Sequence, residues 1–99
     1  MPFAVMNTVT VTKEVMPAAL ADVHRLELEL YPSFEGFRRV SVFVSEDGTQ
    51  LVTVAEWDSR DHFLAFRQSE TGRRTVEVAL PWHPHSSFFE VVSTVAAGR

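Results

Sequence analysis

Residues Val40–Phe66, VSVFVSEDGTQLVTVAEWDSRDHFLAF, read without a gap as strand, tight turn, strand, tryptophan and helix. No other stretch restricts the possible folds as much. Asp47-Gly48 supplies the positive φ angles of a two-residue hairpin turn, and the flanking runs are rich in Val, Phe, Leu and Thr, as paired strands are. A turn centred there sets a register in which Val44 faces Leu51, Val42 faces Thr53, Val40 faces Ala55 and Arg39 faces Glu56. The last pair is an internal check, because opposite charges across a ladder add about 0.2–1 kcal/mol whereas like charges oppose pairing.

On either side of this hairpin the periodicity continues. Val5–Thr12 alternates, with Val5, Asn7, Val9 and Val11 on one face and Met6, Thr8, Thr10 and Thr12 on the other, which predicts a first strand. Pro17 suits the first turn of a helix of about four turns. Leu20, Val23, Leu26, Glu27 and Leu30 follow at helical spacing until Tyr31-Pro32 stops it. Gly36 opens the second strand. Asp58 or Ser59 caps the next helix, whose Phe63, Phe66 and Leu64 are candidates to face inward. Thr71-Gly72 reads as a break before a short helical piece, Arg73–Leu80. Pro81-Trp82-His83-Pro84-His85 reads as loop, since two prolines deny it a regular ladder. Ser87–Val95 is the expected last strand, followed by a frayed tail.

The order β-α-β-β-α-β, with the second helix split, predicts one α+β domain spanning the 99 residues. Its expected form is a ferredoxin-like four-stranded antiparallel sheet with its helices on one face. The hairpin register puts Val40, Val42, Val44, Thr53, Ala55 and Trp57 on one side and Ser41, Phe43, Val52 and Val54 on the other. A solvated sheet face reads polar, so Phe43, Val52 and Val54 predict a second subunit packed there, a homodimer through the sheet face. A chain of this size, with 45% hydrophobic residues and eight phenylalanines, gains from such cover.

Composition excludes several classes. Cysteine is absent, which rules out disulfides and thiolate metal sites. A net charge of −4 argues against a nucleic-acid partner, and the couplets Arg38-Arg39 and Arg73-Arg74 are too small to reverse it. No stretch approaches the roughly 20 apolar residues of a membrane span, and the start lacks a secretory pattern, so the expected location is cytoplasmic.

The element order, Phe34-Glu-Gly-Phe37 entering the second strand, the acidic-Gly hairpin and Ala55-Glu-Trp-Asp-Ser59 running into Phe63 together resemble the antibiotic biosynthesis monooxygenase family of dimeric α+β barrels, over about Val5–Val95. The resemblance implies a cavity between sheet and helices in which a small or polycyclic phenolic substrate reacts with molecular oxygen without metal, flavin or other cofactor. A deprotonated phenol or enol donates electrons itself, so the protein has only to bind it, stabilise its anion and exclude water.

Trp57 matches the family's tryptophan and is read either as core packing or as a donor of its indole N–H to a substrate oxygen. Asn7 sits among valines on the inward face, either as a pocket donor or as an amide bonded to neighbouring backbone. His24, beside the apolar stripe with Leu20, Leu28 and Tyr31 at helical spacing, is a candidate base or an ordinary half-exposed histidine. Thr53, Phe63, Phe66 and Val42 are candidates to line the pocket. His62 is read as solvent-facing. His83 and His85 reach the cavity mouth in this reading, and two ligands without a third make no metal site.

Quinone-forming members that the chain resembles carry an asparagine, a tyrosine and an arginine where this sequence has Thr53, Phe63 and Glu77. Heme-degrading relatives carry an asparagine matched by Asn7, but their tryptophan and heme-ligating histidine fall at Phe66 and Val76. Val76 cannot bind iron, which makes heme degradation the weaker assignment. Three readings remain open: a cofactor-independent oxygenase using Asn7, Trp57 and His24; a cyclase or isomerase whose turnover persists without oxygen; and a non-catalytic ligand-binding subunit.

Overall fold

The computed structural model describes residues 1–29 and 31–98, and the side chains of residues 27–29 fall outside that description along with Leu30 and Arg99. The expected places of Glu27, Leu28 and Leu30 on the first helix therefore lie outside it. The elements in chain order are β1 (Phe3–Thr10), α1 (Met16–Glu29), β2 (Phe37–Val44), β3 (Gln50–Trp57), α2 (Arg60–Gln68), α3 (Glu70–Ala79), a single 3-10 turn (Leu80–Trp82) and β4 (His85–Glu90). The strands form one antiparallel sheet in the order β2-β3-β1-β4, a ferredoxin-like α+β arrangement.

The β2–β3 register has Val44 opposite Leu51, Val42 opposite Thr53, Val40 opposite Ala55 and Arg39 opposite Glu56, as the turn predicts. The Arg39 and Glu56 side chains meet at 2.7 Å. The turn itself differs from the expectation. Gly48 has φ +75°, but Asp47 is not in the left-handed region. The Gly48 N–H closes a four-residue turn on the Ser45 carbonyl at 2.9 Å. Asp47 instead works through its carboxylate, which accepts from the Ser45 hydroxyl at 2.7 Å, the Thr49 N–H at 3.0 Å and the Thr49 hydroxyl at 2.7 Å. An aspartate held this way satisfies the loop without a strained backbone.

Several boundaries move: β1 spans Phe3–Thr10 rather than Val5–Thr12, and the others shift for local reasons. The helical break falls at Ser69, not at Thr71-Gly72. The Ser69 hydroxyl donates to the Phe66 carbonyl at 2.6 Å and accepts from the Gly72 N–H at 3.0 Å, ending α2 and capping α3 together. Gly72 lies inside α3 for a packing reason: a Cβ there would stand 1.9 Å from the Phe66 carbonyl oxygen. β4 spans His85–Glu90 rather than Ser87–Val95, because β1 offers Thr8 as a partner to His85 and runs out beyond Phe3, after which the Val91 N–H bonds Pro2 at 2.9 Å.

Apolar side chains fill the helix-covered face in two clusters. Phe3, Val5, Trp57, Phe63 and Phe66 form an aromatic one, with Tyr31, Phe34, Phe37 and Leu64 packed against it. Val9, Met16, Ala19 and Leu51 form the other, with Val11, Val23, Val42 and Trp82 around it. On the opposite face, Phe43 is 54% exposed and Phe89 47% exposed, flanked by half-buried Met6, Val52 and Val54. Among the described residues no helix is long and apolar enough to cross a membrane.

Candidate active site

Register decides which side chains look into the interior. Asn7 pairs with Thr53 on β3 and with Ser86 on β4, so Thr53, Asn7 and Ser86 form one row across three strands. The neighbouring rows are apolar: Val5 lies between Ala55 and Phe88, and Val9 opposite Leu51. A single polar row thus crosses an otherwise greasy floor. The Ser86 hydroxyl donates to Asn7 Oδ1. With its oxygen engaged, the carboxamide has its NH₂ left to serve as a donor.

Above this floor lies a cavity of about 470 Å³, to which Asn7, Thr53 and Ser86 all contribute, roofed by α1, α2, α3 and the 3-10 turn. The volume is within the range of small-molecule sites, and so is the mixture of apolar wall and few polar groups. One end is aromatic. Trp57, 1% exposed, meets the rings of Phe34 and Phe37 edge-on and lies 4.9 Å from the centre of the Phe66 ring. Its indole Nε1 is the one buried side-chain nitrogen or oxygen among the described residues with no hydrogen-bond partner. Leaving a buried donor unpaired costs about 1–3 kcal/mol.

The wall opposite depends on a contact between distant parts of the chain. Trp82 Nε1 donates to Asp22 Oδ2 at 2.8 Å, joining the 3-10 turn to α1. The other carboxylate oxygen, Oδ1, takes the Arg25 guanidinium at 3.1 Å. Beyond Trp82 the chain turns sharply at His83, which holds φ +51°, the left-handed region a side chain seldom adopts. His83 lines the cavity.

Of the residues expected at the site, Asn7, Trp57, Thr53, Phe63, Phe66 and His83 line this cavity. Three expectations need correction. His24 is exposed on α1 and outside the lining, whereas its neighbour Val23 is part of it, since successive helical residues point about 100° apart. Val42 packs on the Val9 and Leu51 cluster at the edge strand and does not reach the cavity. His85 pairs with Thr8, on the other face of the sheet, so the alternation that brings Ser86 inward turns His85 away. Among the described residues no three His, Cys, Asp or Glu side chains converge as a metal site. Ser86, Asp22, Trp82 and Arg67 were not anticipated. The only local signal was Trp82, an indole in a loop that needs a partner.

The antibiotic biosynthesis monooxygenase family model matches residues 2–78. The chain belongs to that family. Antibiotic biosynthesis monooxygenase folds of known structure superpose on nearly its whole length. The Rv0793 structure from Mycobacterium tuberculosis has a TM-score of 0.81 at 16% identity and covers 97% of this chain and 100% of its own. A monooxygenase from the ActVA-Orf6 gene of Streptomyces coelicolor, in complex with nanaomycin D, has a TM-score of 0.80 at 18% identity, covering 97% and 92%. SnoaB from Streptomyces nogalater, a cofactor-independent oxygenase, has a TM-score of 0.74 at 14% identity, covering 97% and 98%. At these identities the likeness is one of fold. No curated protein matches the chain.

Proposed function

We propose that the chain is a cofactor-independent monooxygenase that converts a phenolic aromatic metabolite to a quinone in this cavity, and that it works as a homodimer joined through the bare sheet face. The observation that carries the reading is the unpartnered indole N–H of Trp57 beside a cavity whose apolar floor holds one polar row, Thr53–Asn7–Ser86. An aromatic substrate packs against the Trp57 and Phe66 wall, and its oxygen accepts from Trp57 Nε1 or the Asn7 amide. His83, the histidine of the lining, takes the phenolic proton. The phenolate then reduces oxygen. One oxygen atom ends in the quinone carbonyl and the other leaves as water, with the substrate supplying all four electrons. Donors aimed at the developing anion in a water-poor site favour this electron transfer.

The test is oxygen uptake with chelator-treated protein and a panel of one- to three-ring phenols, followed by the absorbance of the product. Stoichiometric uptake with a quinone band is the expected result, and no uptake across the panel removes the reading. One finding favours a second reading, a ligand-binding subunit without chemistry. Phe63 is buried among Phe3, Trp57 and Phe88, and Glu77 is exposed and outside the lining, so neither supplies a polar group to the cavity. That reading predicts binding with no product.

A further inference from the structure

The lining contains two side chains carrying permanent charge, Asp22 and Arg67, and their situations differ. Asp22 is already answered from both sides, by Arg25 on Oδ1 and by Trp82 on Oδ2. Arg67, in the last turn of α2, makes no ion pair or hydrogen bond with any described residue. A cation in a last helical turn suits the helix dipole, which accounts for its place along α2 but not for its place in the cavity lining. The chain as a whole is acidic, at −4, yet the charge left uncompensated at its cavity is positive.

From this balance we infer that the natural ligand is an acidic aromatic, a ring system bearing a carboxylate, whose anion pairs with Arg67 while the rings lie against the Trp57 wall. The inference rests on the cavity being the ligand site, as proposed above, and narrows the class of molecule that enters it. A guanidinium presents a planar fork that matches a carboxylate bidentately, and such charge-assisted hydrogen bonds are roughly twice as strong as neutral ones. A neutral polycycle would gain the apolar wall and leave this fork unused. The inference also accounts for the engagement of Asp22: a free carboxylate on the same cavity would repel the ligand, and both of its oxygens are occupied.

The experiment compares 1-hydroxy-2-naphthoate with its methyl ester, which has similar bulk and no charge, by calorimetry and by quenching of tryptophan emission. Both tryptophans, Trp57 and Trp82, line the cavity and report occupancy directly. The acid is expected to bind at least about tenfold more tightly than the ester, a preference that falls with added salt. In Arg67→Met, exposed and therefore benign to folding, the two should bind within about twofold of each other, and Arg67→Lys should keep part of the preference. Equal affinities in the unaltered protein, or a preference that survives Arg67→Met, would overturn the acidic-ligand inference alone. Binding of neither probe would overturn it together with the cavity reading beneath it.

Discussion

Trp82 and Asp22 lie 60 positions apart and are joined by one indole-to-carboxylate hydrogen bond of 2.8 Å. That bond holds the segment after α3 against α1 and so shapes one wall of the cavity. Trp82→Phe keeps most of the packing and removes the donor. It should lower stability by about 1–2 kcal/mol, since a hydrogen bond to a charged group is worth more than a neutral one but this pair is only partly buried. The shift in urea midpoint measures it, and faster amide exchange confined to the 80–84 segment should accompany it.

Trp57 allows packing and chemistry to be separated. Trp57→Ala removes a fully buried side chain and should cost about 3–5 kcal/mol, a large share of the 5–15 kcal/mol that stabilises a typical domain. Trp57→Phe keeps an aromatic ring at this buried site and loses the N–H together with part of the indole's bulk. Equal ligand affinity and turnover in Trp57→Phe would show that the indole is there for packing; the expected outcome is a folded protein with at least about tenfold weaker oxidation, as befits one lost donor to a developing anion.

Gly72 should resist the commonest stabilising change in helices. In an open helix interior Gly→Ala gains about 1 kcal/mol. Here the added carbon would meet the Phe66 carbonyl oxygen at 1.9 Å, a backbone atom that cannot swing aside. Overpacking of this kind costs about 1–3 kcal/mol, so Gly72→Ala should be net destabilising in chemical denaturation.

Asp47 gives the hairpin a defined acid dependence. Hydrogen bonds from the Ser45 side chain and from the Thr49 side chain and N–H hold its carboxyl below the ordinary 3.8. A carboxylate whose folded pKa is depressed contributes stability above its unfolded pKa and loses it as pH falls through the folded value. Asp47→Asn should therefore be less stable than the unaltered chain near neutrality, and the two urea midpoints should converge in strong acid. A gap that persists there would assign the effect to something other than ionisation.

Phe43, more than half exposed on the sheet face away from the helices, tests the proposed pairing of subunits. Phe43→Glu should convert a dimer to a monomer in analytical ultracentrifugation while leaving the far-ultraviolet circular dichroism unchanged. A monomeric unaltered protein would remove the pairing proposal.

What could be read beforehand was local. The β2–β3 register followed from a turn dipeptide and was checked by Arg39 and Glu56, all within one hairpin. Gly72 reads locally as a helix breaker, but its lack of a side chain serves the close approach of α3 to α2, and the break falls at Ser69. Helical spacing puts Val23 on the inward stripe and His24 beside it, and a turn of about 100° per residue is enough to leave His24 outside the cavity lining. Pro81–His85 reads as loop from its prolines, and only the pairing of β4 with β1 shows that alternation sends Ser86 inward and His85 away. The Asp22–Trp82 bond has no local signature, since only the assembled sheet and helices bring the two side chains together.

The lattice of hydroxyls and carboxylate over Ser45–Gln50 has a consequence far from its own position. Strand side chains alternate, so pairing β3 one residue out of step would present Glu56 to the interior and turn Trp57 out into water. A small exposed loop that touches no ligand is therefore the safeguard against assembling the domain inside out. Damage to it should surface first as aggregation during folding, while the molecules that do fold keep their structure.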